Sequence, residues 1–215
     1  MQYKVVTAFD ESFLQHSTIN LLNEFKNNWE SSIEFHCYYY NLDLTNYSLP
    51  KAANIYYHNL LEIEEYPKFL KEFSKHDGTE GRTIAYNEIL DPLKFIPKVI
   101  SLTECAFASK GCWLIWIDPS SINLKNISVK DLDNILPEHS ENIDLITFKD
   151  QTYLTMFNLN RQTPVDLLGD LRGAFISGEF LNYREWHDVF VFNRLRTIYT
   201  AHGMKEYEID IDNSP

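Results

Sequence analysis

The sequence predicts an α/β fold, a single domain with a mostly parallel central sheet flanked by helices, and three observations carry that expectation. A strand, a helix and a second strand follow one another over Tyr3–Tyr40, the βαβ opening of a doubly wound sheet. The run Cys112–Ile117 is short and nearly all apolar, the pattern of a strand buried on both faces. A chain of 215 residues that is 44% hydrophobic suffices for one sizeable core and is too short for two ordinary ones. With no Pro- or Gly-rich linker to divide it, 1–215 is expected to be one domain.

The opening strand is Tyr3–Phe9, with Asp10 and Ser12 placed to cap the next helix. Apolar residues from Phe13 to Trp29 recur at near-helical spacing. Within Ser31–Tyr40, residues Ile33, Phe35, Cys37 and Tyr39 alternate onto one strand face. Ala53–His58 reads as a third strand, Ile63–Phe73 as a surface helix, and the polar Lys75–Arg82 as a mobile loop. A long amphipathic segment from Ile84 to Lys110 contains Pro92 and Pro97, so a break is expected at one of them. It leads into the strand ending at Asp118-Pro119, where Pro119 stops the ladder. A capped helix over Val129–Ile135 comes after Leu124–Ile127. Ile143–Phe148 and Thr152–Leu159 form an expected hairpin, hence an antiparallel addition to the sheet. Thr163–Phe175 reads as a helix with Pro164 at its first position, Ile176–Tyr183 as a loop, and Glu185–His202 as a helix ended by Gly203. Tyr207, Ile209 and Ile211 alternate as a last strand.

Charge and motifs narrow the function. The formal net charge of -12, without a basic stripe, argues against nucleic acid. No run reaches membrane-span length, no signal peptide is seen, and Cys37, Cys105 and Cys112 read as core thiols of a reducing compartment, so a soluble, cytoplasmic protein is expected. The first turn lacks both glycine-rich phosphate loops, which argues against a dinucleotide dehydrogenase and a P-loop NTPase. Two constellations carry chemistry. Asp118 ends a central strand at the carboxyl edge, where α/β sheets bind ligands, although Asp before Pro and Ser is also good turn chemistry. Arg184-Glu185-Trp186-His187-Asp188 packs ionisable groups and an indole at a helix start, where a carboxylate is stabilised. The plainer alternative is that Glu185 and Asp188 only favour a first turn and that Trp186 is core. His187 and His202 lack the spacing of a helical zinc pair, and no C-x-x-C occurs.

Five segments in order resemble a GT-A-type glycosyltransferase: V-V-T-A-F-D (Val5–Asp10), L-K-F-I-P-K-V (Leu93–Val99), W-L-I-W-I-D-P-S (Trp113–Ser120), M-F-N-L-N (Met156–Asn160) and F-L-N-Y-R-E-W-H-D (Phe180–Asp188). The resemblance implies a GT-A-like, Rossmann-like domain that moves a sugar from a nucleotide-diphosphate sugar, a UDP-sugar being favoured, to an acceptor hydroxyl on a sugar, lipid or protein. It implies donor contacts at Thr7, Ala8, Phe9, Lys98, Asp118 and Ser120, with Phe9 stacking on the base. Asp188 is the implied catalytic base with Glu185 in reserve, and Trp186 and His187 face the acceptor. Ser120 stands where the family's D-x-D motif has its second Asp. Mn²⁺ or Mg²⁺ held by Asp118, Ser120 and His202 is one expectation; metal-free action and lost activity are the others. A catalytically inactive sugar-nucleotide or carbohydrate-binding protein, or a structural partner protein with exposed aromatics, are the alternatives.

Overall fold

The computed structural model describes residues 1–78, 87–121, 126–149 and 151–210. The far part of the Lys75–Arg82 loop, the start of the Ile84–Lys110 segment, Leu124, Lys125 and Ile211 lie outside the described residues.

Among these residues one sheet has the strand order β3-β2-β1-β4-β6-β5-β7, where β1 is Tyr3–Phe9, β2 Glu34–Tyr39, β3 Ile55–Asn59, β4 Trp113–Ile117, β5 Leu145–Phe148, β6 Gln151–Asn158 and β7 Glu206–Ile209. β4 is the middle strand, and all five of its residues are buried, as its unbroken apolar run requires when both faces are covered. It pairs in parallel with β1 and antiparallel with β6. The β5–β6 hairpin is present, but its antiparallel strand sits inside the sheet: β5 lies beyond it, parallel to β4, and β7 adds to β5 in parallel. All seven strands except β6 therefore point the same way.

Two layers cover this sheet. On one face, α1 (Glu11–Phe13) and α2 (Ile19–Asn28) bracket a π-helical turn over Leu14–Thr18. Asp10 caps the run by accepting from the Phe13 amide at 3.1 Å. The π turn lets Ser17 Oγ donate to the Pro119 carbonyl at 3.0 Å, which ties this helix to the end of β4. Phe25, Phe35, Trp113 and Phe9 fill the core beneath it, together with residues near α5 (Val129–Ile135), whose Ser128–Asp131 capping box is complete.

On the other face pack α3 (Glu65–Glu72), α4 (Pro92–Phe107), α6 (Gln162–Ile176) and α7 (Asp188–Ala201), over Val6, Leu114, Trp116, Phe157 and Phe175. The break expected in the long segment falls at Pro92, which occupies the first turn of α4 with Asp91 as cap. Pro97 is accommodated inside the helix, and Ser101 Oγ donates to its carbonyl. Several boundaries differ from expectation, and two of them are helix starts tied to named residues. α6 starts at Gln162, so Pro164 is its third residue. α7 starts at Asp188 rather than Glu185, because the His187 ring caps it by accepting from the Phe190 amide.

Candidate active site

Asp118, Asp10 and Tyr40 gather at the carboxyl edge of β4, β1 and β2. The Tyr40 hydroxyl is pushed well up, first by burial and then by the nearby Asp10 and Asp118 carboxylates. Tyr66 of α3 is raised by burial and again by Asp10, and its ring meets that of Tyr40 edge-on at 6.3 Å. Tyr40 comes directly after β2, so strand topology alone could have nominated it. Tyr66 carries no comparable sequence signal.

Ser120 is beside Asp118 as expected, but their contact is a turn. Ser120 Oγ and its amide donate to Asp118 Oδ1 at 2.6 and 3.0 Å, and the Ser121 amide donates to the Asp118 carbonyl. Asp118 thus caps a turn just past the carboxyl end of β4.

The expected donor residues Thr7, Ala8 and Phe9 are buried in β1: Thr7 and Phe9 are 0% exposed. Both faces of β1 are covered, so Phe9 packs among the core residues beneath α2 and presents no face for a base. The expected ion set is also divided. His202 follows α7 and precedes Glu206, which pairs with Leu145, level with Leu114 at the start of β4. Asp118 lies past the other end of β4, three strands away. By strand rise and spacing the two are on the order of 15–20 Å apart. His202 instead turns to its own helix, Nδ1 donating to the Ile198 carbonyl at 2.8 Å. Among the described residues no group of three or more His, Cys, Asp or Glu side chains gathers around a point suited to a metal. Asp118, Ser120 and His202 therefore do not fit a shared divalent ion.

Lys98 and Asp188, ninety residues apart, are brought together. Lys98 Nζ of α4 lies 2.7 Å from Asp188 Oδ2 at the first position of α7, and 5.0 Å from the centre of the Trp116 ring. Asp188 is 6% exposed, and the N-terminus of α7 adds favourable dipole charge to its carboxylate. The pair borders a cavity of about 290 Å³ between the sheet and helices α4, α6 and α7. Trp116, Thr147, Thr155, Phe157, Phe192 and Arg196 are among the lining residues. The sequence signals assign no role to Trp116 or Arg196, although Trp116 lies only two residues before Asp118.

Glu185 precedes the helix and holds His187, Nε2 lying 2.9 Å from Glu185 Oε2. Since His187 Nδ1 accepts from the Phe190 amide at 3.2 Å, the ring hydrogen sits on Nε2 and points at Glu185. That contact, with Arg184 beside it, holds the Glu185 carboxyl below its usual range. Trp186 packs edge-on to Phe180 at 6.0 Å and His76 at 5.5 Å, so it joins the core rather than offering an open platform. His187 is seated against Phe95.

No family model matches the chain, and no curated protein matches it. Solved structures do. The galactosyltransferase LgtC, crystallised with donor and acceptor sugar analogs, is similar at a TM-score of 0.50 and 11% identity over 88% of this chain and 69% of LgtC. The apo-form glycosyltransferase GlyE of Streptococcus pneumoniae TIGR4 gives 0.48 and 10% over 95% of this chain and 44% of its own. Sheet order, helical layers and the LgtC likeness agree: the chain has a GT-A-like fold.

Proposed function

We propose that the protein transfers a sugar from a nucleotide-diphosphate sugar, UDP-sugars being favoured, to an acceptor hydroxyl. The observation that carries this reading is the Lys98–Asp188 pair, set at the mouth of a small cavity and over the Trp116 ring. A buried carboxylate held in one orientation by a lysine and a helix N-terminus is suited to receive a proton. In the reaction, an Asp188 oxygen takes the acceptor hydroxyl's proton as that oxygen bonds to the anomeric carbon. The bond from that carbon to the diphosphate breaks, its electron pair leaves with the nucleoside diphosphate, and the configuration inverts. Asp10, Tyr40, Tyr66 and Asp118 form the neighbouring edge where the nucleotide part is held.

The test is release of nucleoside diphosphate from a panel of nucleotide sugars. Asp188→Asn is expected to lower turnover by ~10²–10⁴-fold while donor binding persists. Wild-type turnover in that variant, or product that keeps the donor's anomeric configuration, overturns the assignment. One observation favours a second reading. The Asp118 carboxylate is engaged by Ser120 where the family pattern has a second acid, which suits a sugar-nucleotide-binding protein without transfer. Binding without release of nucleoside diphosphate selects it.

A further inference from the structure

We propose that the cavity beside Asp188 takes a neutral sugar ring, so that the acceptor is a saccharide end rather than a phosphorylated lipid or a protein side chain. The word acceptor rests on the transfer reading above, whereas the binding of a neutral sugar does not. Three features carry the assignment.

The first is charge. Both cations of the lining are already matched: Lys98 by Asp188 at 2.7 Å, and Arg196 by Glu206, with Nε and Nη2 at 2.8 and 2.6 Å. Glu208 is a further carboxylate of the lining. Two cations thus face three carboxylates, and a phosphate or uronate entering here meets no uncompensated positive charge.

The second is the texture of the walls. Trp116, Phe157 and Phe192 give apolar ring surface, while Thr147, Thr155 and Asn193 give uncharged polar groups. Apolar walls with a few directed polar groups are the usual make-up of a small-molecule site, and a pyranose presents that alternation of C–H faces and hydroxyls. At about 290 Å³ the space is at the lower limit of the ~300–1,000 Å³ typical of ligand pockets. It suits one ring.

The third is hydrogen bonding. Among the described residues, Trp116 Nε1 and Thr147 Oγ1, on two residues that line the cavity, are buried without a hydrogen-bond partner. Such groups are uncommon in a settled core. A hydroxyl-bearing guest can supply partners for them once these side chains turn toward it, which an apolar guest cannot.

The experiment is ligand-observed NMR on the full chain, with and without UDP, using methyl glycosides of glucose, galactose, mannose and N-acetylglucosamine. Galacturonate and glucose 1-phosphate serve as charged counterparts. At least one neutral glycoside is expected to bind saturably, and at least tenfold more tightly than either anion. Asn193→Trp, at an exposed position of α7 that borders the cavity, is expected to abolish that binding with the far-UV spectrum unchanged. Phe192→Leu, a milder change in the wall, is expected to weaken it several-fold. The proposal is overturned if no neutral glycoside binds in either arm, if the anions bind as well, or if binding survives Asn193→Trp. Should nucleotide sugars be turned over while no glycoside binds, the transfer reading stands and this one falls. Glycoside binding without any turnover gives the reverse.

Discussion

Replacing Lys98 by Met separates the contributions of the Lys98–Asp188 pair. Met keeps most of the lysine stem and its packing but removes the ammonium. The Asp188 side chain is 8% exposed and that of Lys98 25%, so the pair lies between a surface bridge, worth ~0–1 kcal/mol, and a fully buried one, whose breaking costs ~3–5 kcal/mol. Lys98→Met strands the more buried member, the carboxylate, and also loses the ammonium–indole contact, worth ~0.5–1 kcal/mol. A loss of about 2–3 kcal/mol is expected. Asp188→Asn strands the more exposed member, and the amide oxygen still accepts from Lys98, so about 1 kcal/mol is expected. The double variant should cost less than the sum, by ~1–2 kcal/mol, because each single change leaves a partner unmatched. Urea unfolding followed by tryptophan fluorescence gives all three values, provided the slope is unchanged. A Lys98→Met loss below ~0.5 kcal/mol, or an Asp188→Asn loss exceeding it, would refute the reasoning.

A second expectation concerns pH. His36 Nδ1 lies 3.1 Å from His58 Nε2, and His36 Nε2 lies 3.2 Å from Glu34, itself bridged to Lys4. Burial holds both rings below their ordinary range, His58 down to about 4 with His36 adding to the effect. Between that value and the ~6.5 of an unfolded histidine, the unfolded chain binds more protons. The contribution is therefore complete above ~6.5 and is lost as pH falls toward 4, by on the order of 1–3 kcal/mol for His58. His58→Gln should flatten the stability–pH curve over that interval; an unaltered slope would show that His58 does not titrate there. At the edge of the sheet, Ser120→Asp places a second carboxylate against Asp118 and should create a response of the melting temperature to Mn²⁺ that exceeds that of the wild type. Equal responses would separate position 120 from any role as an oxygen ligand.

What is legible in the sequence is mostly what one element decides for itself. The Trp113–Ile117 run shows its own burial, Asp10 and Ser128 announce their caps, and a break at Pro92 or Pro97 is foreseen, falling at Pro92. Features that depend on the relation between elements are harder to read. Phe9 ends a strand at the carboxyl edge of the sheet, yet which of its faces is open depends on the layer above, and α2 covers it. His202 is close in sequence to Asp188, but a helix of fourteen residues carries it to the far end of the sheet. The start of α7 escapes the usual signals because its cap is a histidine ring nitrogen rather than one of the common oxygen side chains. The meeting of Lys98 with Asp188 rests on helices α4 and α7 packing on one face, which no local pattern encodes.

The position of β7 has a consequence for synthesis. Glu208 pairs with Thr147 across the β5–β7 contact, and both residues border the cavity together with Arg196 of α7. A nascent chain can pair β3, β2, β1 and β4 with one another from residues that emerge early, since those contacts all lie before Asp118, while the other edge of β4 waits for β6. The cavity lacks its Glu208 wall until the segment through Ile209 has cleared the ribosome, at translation rates of ~5–20 residues per second. Pulse-labelled intermediates stalled before Glu206 should therefore contain a protease-resistant β1–β4 half that has no capacity to retain a sugar.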